Sequence, residues 1–158
     1  MPRTHEDFMA IAIEEAKEGA AMGEQPFGAV IVIDDEIVVR QKSLKVSESD
    51  TTAHSETLAV KYATKKLGRR EIPEAVFYST CEPCPMCLGA VFNAGIKTVV
   101  LGARNEDIKQ LATLAFNFKD YSVEAFAEMV GWDVNLITGV RHDECVDLYR
   151  AALVELTR

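Results

Sequence analysis

The sequence predicts an α/β fold, a three-layer α/β/α sandwich built on a mixed sheet of about five strands. Three observations carry this. Short apolar runs alternate with segments of helical period. After one early hairpin, each strand is followed by a helix, which implies parallel pairing. The 158 residues, 48% hydrophobic and 27% charged, suffice for one sizeable core, read as a single domain over 1–158.

Residues 4 to 22 place Phe8, Ile11, Ala12, Ala16, Gly19 and Ala20 at helical spacing. Thr4 is the expected N-cap, with Asp7 three residues on, and Gly23 the stop. Residues 28–33 (Gly-Ala-Val-Ile-Val-Ile) read as a strand buried on both faces. Asp34-Asp35 turns the chain into a returning strand over 36–41. A polar, Ser-rich loop runs from 42 to 52.

Helical period resumes over 53–67, with Asp50, Thr51 and Thr52 offering cap oxygens, His54 and Glu56 in the first turn, and Gly68 as terminator. Residues 75–80 are a β-type run. Pro83 then blocks the ladder and Pro85 suits a first helical position, so 84–94 reads as a helix capped by Cys84. A short strand follows at 98–101. Two helical segments are expected at about 107–116 and 122–130, with Phe116, Phe118, Tyr121 and Phe126 around the break. A fifth strand at 133–138 and a final helix over 141–156 complete the order.

No run of about 18 apolar residues exists, which excludes a transmembrane helix. The first residues lack the basic-then-apolar layout of a signal peptide, so a cytoplasmic protein is expected. Net charge is −8, which weighs against a polynucleotide as partner, although a local basic patch could serve one. Such a patch exists in Lys61, Lys65, Lys66, Arg69 and Arg70, and reads as a solvated helix face.

The chemistry lies in two stretches. Thr80-Cys81-Glu82-Pro83-Cys84-Pro85-Met86-Cys87 packs three of the four cysteines too closely for a disulfide framework and reads as a metal site. Cys84 and Cys87 put two sulfurs on one side of a helix start, where the dipole favours thiolate. The partner stretch is Thr52-Ala53-His54-Ser55-Glu56. Zinc takes imidazole and thiolates tetrahedrally, and a catalytic site leaves the fourth position open. His54, Cys84 and Cys87 form such an open set. Adding Cys81 would close it as a structural site, but Cys81 lies on the strand side of the Pro83 bend, and a closed site leaves Glu56 without a role.

Glu56 taken alone would complement the helix dipole. Together, H-x-E and P-C-x-x-C form the zinc deaminase signature, in which the glutamate is an acid–base group and not a ligand. The reaction is then hydrolytic deamination of an amidine-type ring carbon, with ammonia leaving and Glu56 moving the proton.

With those residues the chain resembles the cytidine deaminase-like superfamily, from Phe8 to about Ala103. It looks like the branch of guanine deaminases, fungal-type cytosine deaminases and bacterial tRNA adenosine deaminases. Residues 26–32 (Pro-Phe-Gly-Ala-Val-Ile-Val) and 79–90 are similar to guanine deaminases; Gly102-Ala103-Arg104 and Asp143-Glu144-Cys145 look more like the tRNA enzymes. The resemblance implies zinc held by His54, Cys84 and Cys87, proton transfer by Glu56, and a homodimer or larger assembly. Two positions depart from the family pattern. Ser55 stands where the family has Ala or Gly. Ser43 stands eleven residues before His54, where the branch carries a substrate-binding Asn, and a hydroxyl lacks the amide's paired donor and acceptor.

Phe27 could stack on a flat ring or simply pack in the core. Ser43 could bond a ligand or form a turn. Glu82 reads as an acceptor for nearby backbone amides, Cys81 and Cys145 as core residues, and His5 and His142 as surface residues. The stretch 105–120 is expected to form a pocket wall or dimer contact. Three functions remain open: a zinc hydrolase of a free guanine- or cytosine-like base or related amino-heterocycle, a tRNA adenosine deaminase, and a non-catalytic zinc-stabilised interaction domain.

Overall fold

The computed structural model describes residues 2–111, 118–152 and 156. Strands β1 (Gly28–Ile33), β2 (Glu36–Lys42), β3 (Val76–Cys81), β4 (Thr98–Ala103) and β5 (Asn135–Ile137) form one sheet in the order β2-β1-β3-β4-β5. β1 pairs antiparallel with both β2 and β3, and β3, β4 and β5 pair in parallel. Four strands therefore run one way and β1 alone is reversed. The ends of β2, β3 and β4 all reach the same edge of the sheet.

The hairpin turns on Asp34 and Asp35, whose φ angles of 50° and 64° are left-handed. Two successive positive φ values match the right-handed twist of the flanking strands, and Asp tolerates them better than most residues. A bulge follows: Ile31 faces Val39 but Val32 faces Ile37, which leaves Val38 as the extra residue.

Side chains alternate across β1 and feed two cores. Val30 and Val32 join Phe8, Met9, Ala12, Ile13 and Ala16 of helix α1 (His5–Ala21) and Val146 and Tyr149 of helix α6 (His142–Arg150). Ala29 and Ile31 join Ala59 and Ala63 of α2 (Ser55–Leu67) and Leu88, Val91 and Phe92 of α3 (Pro85–Asn93). The result is the sandwich expected, a sheet between two helical layers. α1 starts at a reciprocal capping box: Asp7 N donates to Thr4 Oγ1 (3.2 Å) and Thr4 N donates to Asp7 Oδ2 (2.8 Å).

Two glycines allow close layers. A Cβ on Gly28 would lie 1.9 Å from Ala12 O, and one on Gly102 would lie 2.2 Å from Cys145 Sγ. Cys145 is fully buried as expected, and burial, with Cys81 nearby, pushes its thiol up to about 12.

Several boundaries differ from expectation. α2 begins at Ser55, so His54 is its extended N-cap and not a first-turn residue. The expected cap oxygens act elsewhere: the Asp50 carboxylate accepts from Thr52 N (2.8 Å) and Thr52 Oγ1 (2.7 Å), closing the turn before the helix. The helix expected over 107–116 is a single turn, α4 (Asn105–Ile108); residues 112–117, including Phe116, lie outside the described residues. α5 (Val123–Val130) matches its expected range, with Ser122 Oγ capping Ala125 N and Gly131 at φ 70° ending it. β5 is three residues long. The last helix ends at Arg150, short of the expected 156: Ala151 and Ala152 are described and lie outside it, while residues 153–155 of the expected range lie outside the described residues.

A Cβ at position 28 would meet backbone, which no rotamer change relieves. Gly28→Ala is expected to cost about 1–3 kcal/mol or more by overpacking. Gly89, inside α3, has no such neighbour within 4 Å, and Gly89→Ala is expected to gain about 0.5–1 kcal/mol. Urea denaturation of both variants checks the pair; equal midpoints would contradict the close approach of α1 to β1.

Candidate active site

Two helix starts meet at the sheet edge. α2 follows the loop after β2, and α3 follows the bend after β3. His54 and Cys84 are the two N-caps, both extended (φ −69°, ψ 148° and φ −69°, ψ 168°), and neither side chain makes a capping hydrogen bond. Pro85 occupies the first turn of α3, where its missing N–H costs nothing. Cys87 lies on the same turn.

The ligand atoms of His54, Cys84 and Cys87 all lie within 4.8 Å of one another. Cys84 Sγ is 3.4 Å from Cys87 Sγ, and His54 Nδ1 is 3.7 Å and 3.3 Å from these sulfurs. A tetrahedral zinc with ordinary bond lengths requires edges of about 3.8 Å between sulfurs and about 3.6 Å from sulfur to nitrogen. The triangle is close to one face of that tetrahedron. All three residues are buried. Burial, together with Cys84 and the Glu56 carboxylate, pushes the Cys87 thiol well up; a divalent cation at this point reverses that and holds it as thiolate. Thr57 Oγ1 donates to Cys87 Sγ at 3.1 Å, a bond that supports negative charge on the sulfur.

Glu56 sits beside the triangle and is 2% exposed. Its Oε1 accepts from Ser55 Oγ at 2.5 Å, while Oε2 is buried and has no hydrogen-bond partner among the described residues. A buried carboxylate oxygen left this way costs about 1–3 kcal/mol or more. It is reconciled by a polar group in the open position beside the three ligands. Donor set, spacing and orphaned oxygen all fit zinc. Cys81, by contrast, packs with Cys145 in the α1/α6 core and is not in the group.

Ser43 is buried just past β2, and its Oγ accepts from Lys45 N at 3.4 Å. Leu44 N donates to Ala53 O (3.0 Å), which ties the residue after Ser43 to the residue before His54. Phe27 is buried in the α1/α6 core, its ring 5.3 Å from that of Tyr149.

Sequence reasoning missed Glu24. Its carboxylate, 1% exposed, accepts from Val46 N (2.9 Å) and Ser47 N (2.6 Å), holding the loop that follows Ser43. The adjacent Gly23 and Pro26 mark a turn, but nothing in the sequence separates a buried glutamate there from a solvated one. Glu82 is the amide acceptor expected, and more. It accepts from Asn105 N (3.0 Å) and Val123 N (2.9 Å), and Arg104 binds both its oxygens at 3.0 Å. Tyr121 Oη donates to Pro83 O (2.5 Å), and its ring lies 5.4 Å from that of Phe118. Glu82, Arg104 and Tyr121 line a cavity of about 210 Å³ together with Asn105, Phe118 and Lys119 of the stretch 105–120; the three ligand residues are not part of its lining.

The basic cluster lies along α2 toward its C-terminal end and just beyond, away from His54. Lys66 Nζ donates to Val38 O (3.0 Å), and Arg69 pairs with Glu74. His5 bonds Tyr78 Oη (2.7 Å), and His142 sits between Asp107 (3.1 Å) and Asp143 (2.9 Å). No helix among the described residues is long and apolar enough to cross a membrane.

Residues 2–103 match the family model for the cytidine and deoxycytidylate deaminase zinc-binding region. The tRNA-specific adenosine deaminase of Bacillus subtilis (strain 168) is 37% identical over 151 residues, spanning 96% of this chain and 89% of that protein. The guanine deaminase of the same organism is 41% identical over 104 residues, spanning 65% and 67%. A solved structure from work on A-to-I editing by tRNA:A34 deaminases superposes with a TM-score of 0.76 at 27% identity, over 90% of this chain and 98% of that one. The chain thus belongs to the cytidine and deoxycytidylate deaminase family, and it is a zinc-dependent hydrolase that acts on C–N bonds.

Proposed function

We propose that this enzyme deaminates a free amino-heterocycle, a guanine- or cytosine-like base, with His54, Cys84 and Cys87 holding zinc and Glu56 moving the proton. The observation that carries the reaction is Glu56 Oε2, buried, unpartnered among the described residues and beside the three ligands. When bound, zinc supplies a Lewis acid that makes a water nucleophilic near neutral pH. Glu56 Oε2 accepts a proton from the attacking water and returns one to the departing nitrogen. The water oxygen becomes bonded to the ring carbon, the C–N bond breaks, ammonia leaves and a carbonyl remains. Burial of the site keeps bulk water from the carboxylate.

A free base is favoured over RNA by charge. Net charge is −8, and the Lys61–Arg70 cations begin near mid-helix and run past the end of α2, whose thirteen residues span about 20 Å. In this reading Ser43 contacts the ring from the loop beside His54, and Phe27 supports that wall from the core. The chain acts as one domain over 1–158, in a cytoplasmic homodimer. The second reading is an adenosine deaminase acting on tRNA. It is favoured by likeness along nearly the whole chain to a protein of that name.

An ammonia assay over aminopurines, aminopyrimidines, pterins and triazines tests the substrate. Release from guanine, cytosine or a close analogue is expected. Silence across the panel, with inosine formed in tRNA, would give the second reading the field. In the same assay Glu56→Ala is expected to fold, keep one zinc per chain and lose about 10²–10⁴ in kcat.

Zinc binding carries its own pH signature. The raised Cys87 thiol holds its proton in the metal-free protein, and binding must expel it. Affinity is therefore expected to rise with pH between about 6 and 8, with protons released on binding. Competition against a chromogenic chelator at several pH values measures this; a flat profile would speak against thiolate ligation. Cys87→Ala is expected to bind zinc far more weakly.

A further inference from the structure

We infer that Ser55 is a positioning residue for the deamination, holding the Glu56 carboxylate so that Oε2, and not Oε1, meets the reacting atoms. The inference rests on Glu56 as the proton-moving group.

Ser55 is fully buried at the first position of α2, and its hydroxyl donates to Glu56 Oε1 at 2.5 Å. Neighbours in sequence do not normally face each other on a helix, so this contact is not a by-product of helical geometry. It arises at the first two helical positions, next to the extended N-cap His54.

The two carboxylate oxygens consequently differ. Oε1 is engaged by a neutral donor. Oε2 is buried and has no partner among the described residues. A glutamate side chain has three rotatable bonds, and the metal triangle does not hold it, since Glu56 is not one of the three ligand residues. The Ser55 hydroxyl is the donor that fixes the carboxylate plane. Alanine or glycine at position 55 has no such donor and leaves the carboxylate free to rotate.

The test compares wild type with Ser55→Ala and Ser55→Gly, both of which remove the hydroxyl but differ in volume. Crystal structures of the zinc-loaded proteins are the first readout. One Glu56 carboxylate orientation is expected in wild type, and a rotated or split one in both variants. An unchanged single orientation in both would overturn the inference, whatever the substrate. Kinetics with guanine, cytosine and tRNA are the second readout. A fall in kcat of about tenfold is expected for either variant, with KM, zinc content and Tm unchanged, as befits loss of one hydrogen bond to a charged group. An unchanged kcat overturns the inference, and so does a loss of zinc or of Tm, which would make Ser55 merely structural. Glu56→Ala is assayed alongside. Activity retained there sinks the proton-transfer reading itself, whereas loss there with a wild-type rate in Ser55→Ala sinks only the role of Ser55.

Discussion

Two buried sulfurs and an imidazole within 3.3–3.7 Å of one another are the constraint on which the rest of this structure depends. Metal-free, the arrangement is unfavourable: burial raises the Cys87 thiol, and a buried carboxylate oxygen stands unpartnered beside it. A divalent cation turns each of these costs into an interaction. The fold brings the ligands there because the strands preceding α2 and α3 run in the same direction, so both helices start at one edge of the sheet. Helix starts favour anions, and here two of them converge on two cysteine sulfurs and a carboxylate.

That edge is made of loops, and buried carboxylates hold the loops. Glu24 secures the segment after β2 through two backbone amides. Glu82 secures the starts of α4 and α5 and pairs with Arg104. Each buried carboxylate is met by two backbone N–H donors, which is why burying its charge is tolerable, and the two amides that Glu82 bonds are themselves buried. Neither is one of the three ligand residues, yet Glu24 holds the loop that leads to His54 and Glu82 lies two residues before Cys84. An open α/β sheet binds ligands outside its strand ends, where side chains of this kind must replace the missing ladder.

The layers and the ligand triangle were legible in the sequence for a physical reason. The continuous apolar run of residues 28–33 and the Pro-bracketed cysteines are local patterns, and local patterns survive folding. Helix boundaries were less so. His54 was read as a first-turn residue because Asp50 to Thr52 offered cap oxygens, but Asp50 closes the preceding turn and the chain stays extended through His54. The helix expected over 107–116 is a single described turn, Asn105–Ile108. Glu24 was missed because its partners, Val46 and Ser47, lie more than twenty residues away. Long-range pairing leaves no periodic trace.

Ser43 and Ser55 show how the same residue type can act differently at one site. Both depart from the family pattern, both are buried, and both sit within a few residues of a metal ligand in sequence or in space. Ser43 Oγ accepts from a backbone amide at 3.4 Å, a long bond that leaves its own proton available to a neighbour. Ser55 spends its proton on Glu56 at 2.5 Å. The first hydroxyl therefore retains donor capacity, and the second is committed to the carboxylate. Under the proposed function the two serines divide the work: position 43 bears on which ring is accepted, and position 55 on how the accepted ring meets its proton carrier. Substrate choice and proton delivery can then vary separately on a zinc triangle that stays the same.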